Sequence, residues 1–313
     1  MVIKILEIIF LPILALIIGI FFMGLGRKIM ARIHWRYGPP LLQPVIDIIK
    51  LFHQQSISHG FMFTLGVFIS LAGCVAVILF IPFGPLCPLS SSGGLLVILY
   101  IMLLIPLGMA LSGGEGANPN ISIGISRKLI LSLSYEVPLL LVLLSVMTHY
   151  NTISIVKVVE AQNKGWAIFN WPLCLSGIAY FLILPAILGI RPFDVVTAPQ
   201  EIASGPSVEY GGRYLGLVNI EHAFSLFISI ALFVDLFLGG GTLWGNVNSF
   251  LKTGPGIVLA FLVFFLKLLV VFVLGLFINA VFPRFRLDQA IKYLWKLPTL
   301  LALIGLIITL VLK

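Results

Sequence analysis

The sequence predicts an all-α membrane protein that crosses the bilayer several times, and three observations support this fold class. Of the 313 residues, 60% are hydrophobic and 10% are charged, whereas a soluble domain carries about 25% charged residues. The apolar residues are gathered into runs of about 20, and most charges lie in the loops between them. A water-soluble core would not hide this much apolar surface, so the excess is expected to face lipid.

Eight apolar runs are long enough to cross a bilayer as helices. The predicted spans are about 3–25, 61–82, 94–112, 129–148, 172–190, 217–238, 256–282 and 297–312. The first run carries Glu7 and lacks a small-residue cleavage site, so it is not expected to be a signal peptide. Because no repeat or linker divides the chain, residues 1–313 are expected to form one integral membrane domain.

The orientation is predicted from the positions of the 19 Lys and Arg residues. Most of them fall in the loops after spans one, three, five and seven. Positive charge is enriched in cytoplasmic loops. We therefore expect a multi-pass protein of the cell membrane whose odd-numbered loops are cytoplasmic and whose two termini face outward.

The segment LLQPVIDIIKLFHQ, at about 41–54, is predicted to form an amphipathic helix at the cytoplasmic interface. At helical spacing, one narrow polar stripe contains Gln43, Asp47, Lys50 and Gln54. The segment is too short and too charged to cross a bilayer. It is either a plain surface helix with a weak Asp47–Lys50 pair or a helix that lies against another subunit.

The longest polar connection, at about 191–216, is predicted to be a long cytoplasmic loop. Its charged residues are Arg191, Asp194, Glu201, Glu209 and Arg213. A connection of this length is uncommon in a compact membrane protein unless it has a function. It is either an ordinary solvated loop, or a surface that binds a partner or begins a proton path toward Glu136 and Glu221.

Charged residues also lie inside the predicted spans: Glu136, Glu221, Asp235 and Lys267. Each costs about 2.5–3.5 kcal/mol near the centre of a membrane helix, so such residues face partners or water. Burial shifts the pKa of a charged group in one direction, and a neighbouring opposite charge shifts it in the other. When the two effects balance, the group can exchange protons near neutral pH. These four residues, with Asp194, Glu201 and Glu209, are candidates for a proton or ion path. The alternative is a set of static ion pairs that fasten the helices together.

Other kinds of site are not predicted. The 3 cysteines form no C-x-x-C pair, and the 5 histidines show no i,i+4 spacing, so no metal site is expected. The glycine-rich SGGEGANPN at 112–120 lacks a Walker lysine and is expected to be a turn. No nucleophile–base arrangement can be identified, so the chain alone is not expected to be an enzyme. The net charge of +8 is expected to act at the membrane and not on nucleic acid.

Four polar blocks occur in order between the apolar runs. They read RIHWRYGPPLLQPVIDIIKL at 32–51, SYE at 134–136, RPFDVVTAPQEIASGPSVEYGG at 191–212 and FPRFRLDQ at 282–289. Together they resemble the signature of the H-subunit family of respiratory complex I, the eight-helix membrane subunit that joins a peripheral electron-transfer arm to an ion-pumping arm. A chance likeness between apolar helices would not produce matching polar loops.

Within that family, the compact GPPLLQP and GPSVEYGG spacings look more like the membrane-bound hydrogenase branch than the quinone-reducing enzymes. Where the quinone enzymes typically carry Glu-Ala-Glu, this chain has Thr197, Ala198 and Pro199. Two carboxylates are therefore missing, which puts a quinone headgroup site in doubt. The resemblance implies a ferredoxin-driven complex, either a membrane-bound nickel–iron hydrogenase or its sulfur-reducing relative, and leaves these two open.

The resemblance implies a membrane-anchoring and coupling subunit that links the peripheral arm to proton or sodium translocation. Its implied partners are cluster-bearing peripheral subunits, antiporter-like membrane subunits and ferredoxin as the electron donor. Iron–sulfur clusters, and NiFe in a hydrogenase, would lie in those partners, and this chain would bind no cofactor. The expected docking and coupling residues are Arg32, Arg36, Asp47, Lys50, Arg127, Arg191, Arg213, Arg284, Arg286 and Asp288. The alternatives are a passive membrane anchor and a stand-alone ion transporter.

Overall fold

The computed structural model describes residues 2–56, 60–84, 86–89, 94–116, 118–243 and 254–312. Its helices, in chain order, are α1 Val2–Ile33, α2 Gln43–His53, α3 Phe61–Phe80, α4 Gly94–Met102, α5 Leu104–Gly114, α6 Pro119–Tyr150, α7 Ile155–Ala161, α8 Trp171–Leu188, α9 Pro199–Ile202, α10 Gly212–Phe237, α11 Gly254–Val281 and α12 Leu287–Val311. Within these ranges, 8 helical segments are long and apolar enough to cross a membrane. The predicted fold class, an all-α polytopic membrane protein, is confirmed.

Several helix ends differ from the predicted spans. The helix predicted at 129–148 already begins at Pro119, and the one predicted at 297–312 begins at Leu287. Arg127 and Lys128 therefore lie within α6 and not in a loop. The prediction followed continuous apolar runs, whereas a helix extends beyond the hydrocarbon wherever its first turns carry polar side chains.

The third span consists of two helices, because α4 ends at Met102 and α5 starts at Leu104. Pro106 lies close beyond the break. Proline has no N–H, so it cannot donate the helical hydrogen bond to the carbonyl four residues earlier, at Met102. The interruption thus follows from one residue inside an otherwise uniform apolar run.

The connection predicted at 191–216 is shorter than expected, because α10 begins at Gly212. It is also partly helical, with α9 and a 3-10 turn at Gly205–Val208. A helix does form at Gln43–His53, within the predicted 41–54. Its position at a membrane interface, and the cytoplasmic location of the connection, stay predictions.

Helix α10 lies at the centre of the bundle, where it packs against α1, α3, α8 and α11. Its half nearer the C-terminus is almost entirely buried, from Leu226 to Phe237. Around it, α12 packs against α6 and α8, and α3 packs against α5. The outer faces of α1, α11 and α12 expose large apolar residues. Charges on this half of α10 are therefore removed from both lipid and bulk solvent.

Helices α3 and α5 meet at two glycines. A Cβ atom added to Gly66 would lie 2.5 Å from the carbonyl oxygen of Gly108, and one added to Gly108 would lie 2.6 Å from that of Gly66. Small residues allow the backbones of membrane helices to approach this closely. This contact positions Ser70 and Ser112, which line the cavity described below.

Gly66→Leu is expected to separate α3 from α5 and destabilise the protein, by about 1–3 kcal/mol or more for overpacking. The thermal midpoint of the detergent-solubilised protein, followed by size-exclusion chromatography, measures the effect. Gly275→Leu on α11 is the matched control, since no neighbouring atom lies within 4 Å of a Cβ atom added there. Equal midpoints for the two variants would contradict the close packing of α3 and α5.

Candidate functional site

We call the end of the bundle that carries the segments 34–56, 189–211 and 282–286, which include α2 and α9, the basic side. There α1 and α2 are joined by an ion pair, because Arg27 Nη1 lies 2.9 Å from Asp47 Oδ2. Gln43 Nε2 donates a 2.9 Å hydrogen bond to Asp47 Oδ1. The hydrogen bonds from Arg27 and Gln43 hold the pKa of Asp47 below its ordinary value. Asp47 thus fastens α2 to α1, whereas the exposed Lys50 forms no ion pair with it within 4.0 Å among the described residues.

The turn between α1 and α2 presents aromatic and basic side chains. Trp35 is 97% exposed and Tyr37 is 93% exposed. The guanidinium of Arg32 lies 5.0 Å from the centre of the Tyr37 ring, and Arg36 is exposed. On α2 and just before it, the apolar residues Leu42, Ile46 and Ile49 are also exposed. We call residues 32–50 the α1–α2 surface; exposed aromatic and Arg side chains are typical of protein interfaces.

The connection between α8 and α10 is fastened by two ion pairs. Arg284 Nη2 lies 2.6 Å from Asp194 Oδ2, and Arg127 Nη1 lies 2.6 Å from Glu201 Oε2. Thr197 Oγ1 also donates a hydrogen bond to Asp194. Two carboxylates that were predicted to belong to an ion path are thus paired with two arginines that were predicted to dock a partner. These pairs tie the connection to α6 and to the turn between α11 and α12.

The remaining predicted residues on the basic side occupy different positions. Glu209 is partly buried at the end of the 3-10 turn, Arg213 is exposed in the first turn of α10, and Asp288 is exposed in the first turn of α12. Arg191, Glu201, Arg284 and Arg286 line a cleft of about 420 Å³. The structure thus brings these four together, whereas Arg213 and Asp288 do not line the cleft.

Glu221 lies in a small polar cavity inside the bundle. Its exposure is 7%, and the cavity volume of about 10 Å³ is about that needed for one water molecule. The polar wall consists of Ser70, Ser112 and Tyr210, of which the last two are hydrogen-bonded through their hydroxyls. Burial raises the pKa of Tyr210 above its ordinary value. The arrangement can hold a proton or a water next to a buried carboxyl group.

The polar wall was only partly predictable. Tyr210 belongs to the VEYGG block, but Ser70 and Ser112 are isolated hydroxyls in apolar runs and carry no distinguishing pattern. Glu221 also lies within electrostatic range of Lys128, which the sequence placed in a loop. Glu136, on the same helix as Lys128, is partly buried.

In the middle of α11, Lys267 is held by three backbone carbonyls of the chain that follows α10. Its Nζ donates hydrogen bonds to the oxygens of Leu238 at 2.6 Å, Gly240 at 2.8 Å and Thr242 at 2.6 Å. The ammonium also lies 4.7 Å from the centre of the Trp166 ring, a distance suited to a cation–π contact. The charge of Lys267 is therefore compensated by dipoles of the chain that follows α10.

Asp235 lies near this lysine and is 0% exposed. Among the residues that the structure describes, neither carboxylate oxygen of Asp235 has a hydrogen-bond partner. Neither oxygen lies within 4.0 Å of the Lys267 ammonium either. Gln162 Nε2 instead donates to the backbone oxygens of Asp235 at 2.9 Å and Leu236 at 3.0 Å. Asp235 and Lys267 therefore form no direct ion pair among the described residues, and whether the buried charges form a path or static pairs stays a prediction.

Taken together, these features define a multi-pass helical membrane protein with buried charges at two depths and a polar, partly aromatic surface at one end. The chain matches the family model described as NADH dehydrogenase over residues 5–310. It belongs to that family. The resemblance predicted from the four polar blocks is thereby confirmed.

Individual relatives are similar over most of their length. The chain is 30% identical over 305 residues to the H subunit of NADH-quinone oxidoreductase from Protochlamydia amoebophila, covering 91% of this chain and 90% of that protein. It is 31% identical over 284 residues to formate hydrogenlyase subunit 4 of Escherichia coli, covering 87% and 88%. A chain in the structure of an archaeal membrane-bound sulfane sulfur reductase superposes with a TM-score of 0.89 at 38% identity, covering 98% and 99%.

Proposed function

We propose that this chain anchors and couples a ferredoxin-driven, complex I-related respiratory complex, in which it links a peripheral electron-transfer arm to proton or sodium translocation. Its family and its relatives support the coarser statement that it is a subunit of a complex I-related membrane complex. Cluster-bearing peripheral subunits, antiporter-like membrane subunits and ferredoxin are the proposed partners. The iron–sulfur clusters would lie in those partners.

The observation that carries the coupling role is the placement of two buried carboxyl groups on one central helix. Glu221 and Asp235 are both buried on α10, and their separation of fourteen residues corresponds to roughly 21 Å of helix rise. That distance covers most of the hydrocarbon core, which is about 30 Å thick. Each buried carboxyl group is costly in a membrane; a passive anchor would use them in static ion pairs, yet neither Glu221 nor Asp235 forms an ion pair within 4.0 Å among the described residues. In a path for ions between the two ends of the bundle, the buried carboxyl groups would have a function.

The α1–α2 surface is the proposed docking site for the peripheral arm. Arg32, Arg36 and Lys50 supply positive charge, while Trp35 and Tyr37 supply exposed rings of the kind that anchor protein partners. The Arg127–Glu201 pair and Arg213 add polar groups on the same side of the bundle. We propose that the basic side is cytoplasmic, since the positive charges favour that orientation. Both termini would then lie outside.

Within this family, we propose that the chain belongs to the branch of membrane-bound hydrogenases and sulfur-reducing complexes. The 38% identity to a sulfane sulfur reductase chain and the likeness to a formate hydrogenlyase subunit both support it. The chain also has Thr197 and Pro199 where quinone enzymes typically carry carboxylates, which argues against a quinone headgroup. The choice between a hydrogenase and a sulfur-reducing complex stays open in this proposal.

Glu136→Gln tests coupling against passive anchoring. We expect the complex to assemble with normal cluster content while ion translocation falls about tenfold or more, because an amide cannot take up and release a proton. Ion uptake into proteoliposomes, driven by reduced ferredoxin, is the measurement. Glu160→Gln, on the exposed face of α7, is the control and is expected to behave as wild type. Undiminished translocation by the assembled Glu136 variant would favour the passive anchor.

A further inference from the structure

The cleft on the basic side lies between the α8–α10 connection and the turn that joins α11 to α12. It has a volume of about 420 Å³ and is lined by Arg191, Pro199, Gln200, Glu201 and the turn 283–286. This volume falls within the range of ligand pockets, about 300–1,000 Å³. Three of its lining residues are arginines, so the cleft is suited to an anion.

Among the described residues, two of these arginines have no carboxylate within 4.0 Å. Arg284 is paired with Asp194, and the lining carboxylate of Glu201 is held by Arg127. Arg191 and Arg286 are exposed, and neither forms an ion pair within the described part of the chain. Arg284 Nε is in addition a buried donor without a hydrogen-bond partner among the described residues. The cleft therefore keeps two uncompensated guanidinium groups and one unused N–H.

An apolar stripe leads to the cleft along α11. The half of this helix nearer the cleft exposes Leu266, Val270, Leu274, Phe277 and Val281, whose spacing of three or four places them on one helix face. Helix α11 ends at Val281, directly before the turn that lines the cleft. Helices α11 and α12 both pack against α8. The cleft thus lies directly beyond the end of this apolar stripe.

From this juxtaposition we propose that the cleft binds the phosphate of an anionic phospholipid, whose acyl chains lie along the exposed stripe of α11. The planar fork of arginine matches two phosphate oxygens, and basic pockets at the ends of membrane helices hold anionic headgroups. A carboxylate of a protein partner would satisfy Arg191 and Arg286, but only a lipid joins an anionic headgroup to acyl chains that can lie on the adjoining apolar stripe. The bound lipid braces the α8–α10 connection against the α11–α12 turn.

The proposal does not depend on ion coupling, and its test does not measure activity. The complex is purified in mild detergent and reconstituted into nanodiscs of equal parts phosphatidylcholine and phosphatidylglycerol. Native mass spectrometry of the released complex then counts the lipids retained. Wild type is expected to retain phosphatidylglycerol in preference, because its headgroup has a net negative charge whereas the choline cation neutralises the phosphate of phosphatidylcholine. Arg191→Gln/Arg286→Gln removes the two attracting positive charges and is expected to lower that preference about tenfold.

Lys296→Gln is the matched control, because it removes one exposed positive charge from α12 outside the cleft. It is expected to keep the preference. Equal retention of phosphatidylglycerol by wild type and the double variant would overturn the proposal. If the double variant does not assemble, the test rests on the wild-type complex. Equal retention of both lipids by the wild-type complex, as expected if a protein segment filled the cleft, would also overturn the proposal.

Discussion

Glu221→Gln is expected to reduce electron-coupled ion translocation by at least about tenfold, while the complex assembles normally. The side chain is buried beside a cavity with room for about one water, between Ser70, Ser112 and Tyr210. Glutamine has nearly the same shape and can keep the local packing. It cannot exchange a proton, and proton transfer by a positioned group contributes about 10²–10⁴-fold.

Two further variants separate proton exchange from packing at this position. Glu221→Asp retains a carboxyl group and is expected to recover part of the translocation rate. Ser112→Ala removes the hydroxyl that contacts Tyr210 and leaves the carboxyl group in place, so a smaller loss is expected. Rates are measured as ion uptake per assembled complex in proteoliposomes. A Gln variant that translocates ions as fast as the Asp variant would exclude Glu221 from the path.

Lys267→Met is expected to cause the largest loss of stability in this chain. The ammonium donates to three backbone carbonyls, and methionine would leave all three without this donor. A buried acceptor left without its hydrogen-bond partner costs about 1–3 kcal/mol, and three acceptors are affected here. The thermal midpoint of the solubilised complex measures the loss. Lys296→Met, at an exposed position of α12, is expected to leave the midpoint unchanged.

A double-variant cycle with Asp235→Asn tests whether Lys267 and Asp235 interact. The two groups are not in direct contact, but Asp235 is fully buried close to the chain that holds the lysine. Electrostatic coupling through this region predicts that the combined loss differs from the sum of the two single losses by about 0.5–3 kcal/mol. Additive losses would mean that the two groups act independently.

The number of spans could be predicted because each membrane crossing needs its own run of about 20 apolar residues. Their ends could not, since polar residues such as Arg127 and Lys128 extend α6 beyond the hydrocarbon. The break between α4 and α5 was missed for a related reason. Pro106 removes one hydrogen bond without changing the hydropathy of the run.

The candidate site was predictable where a charge stands alone in an apolar run, as Glu221 and Lys267 do. The partners of these charges were not. Lys267 binds carbonyls 25 to 29 residues away. Every residue has a backbone carbonyl, so the sequence does not indicate which of them a lysine will contact. Ser70 reaches the cavity of Glu221 because Gly66 lets α3 approach α5, which depends on packing between distant segments.

The central claim is that buried charges of this chain couple electron transfer to ion movement, and the ratio of ions translocated per electron tests it most directly. The ratio and the rate are measured together in proteoliposomes containing wild-type complex or the Glu136→Gln/Glu221→Gln variant, supplied with reduced ferredoxin. We predict that the assembled variant retains its iron–sulfur clusters but translocates ions at less than about a tenth of the wild-type rate. A variant with wild-type rate and wild-type ratio would contradict the account.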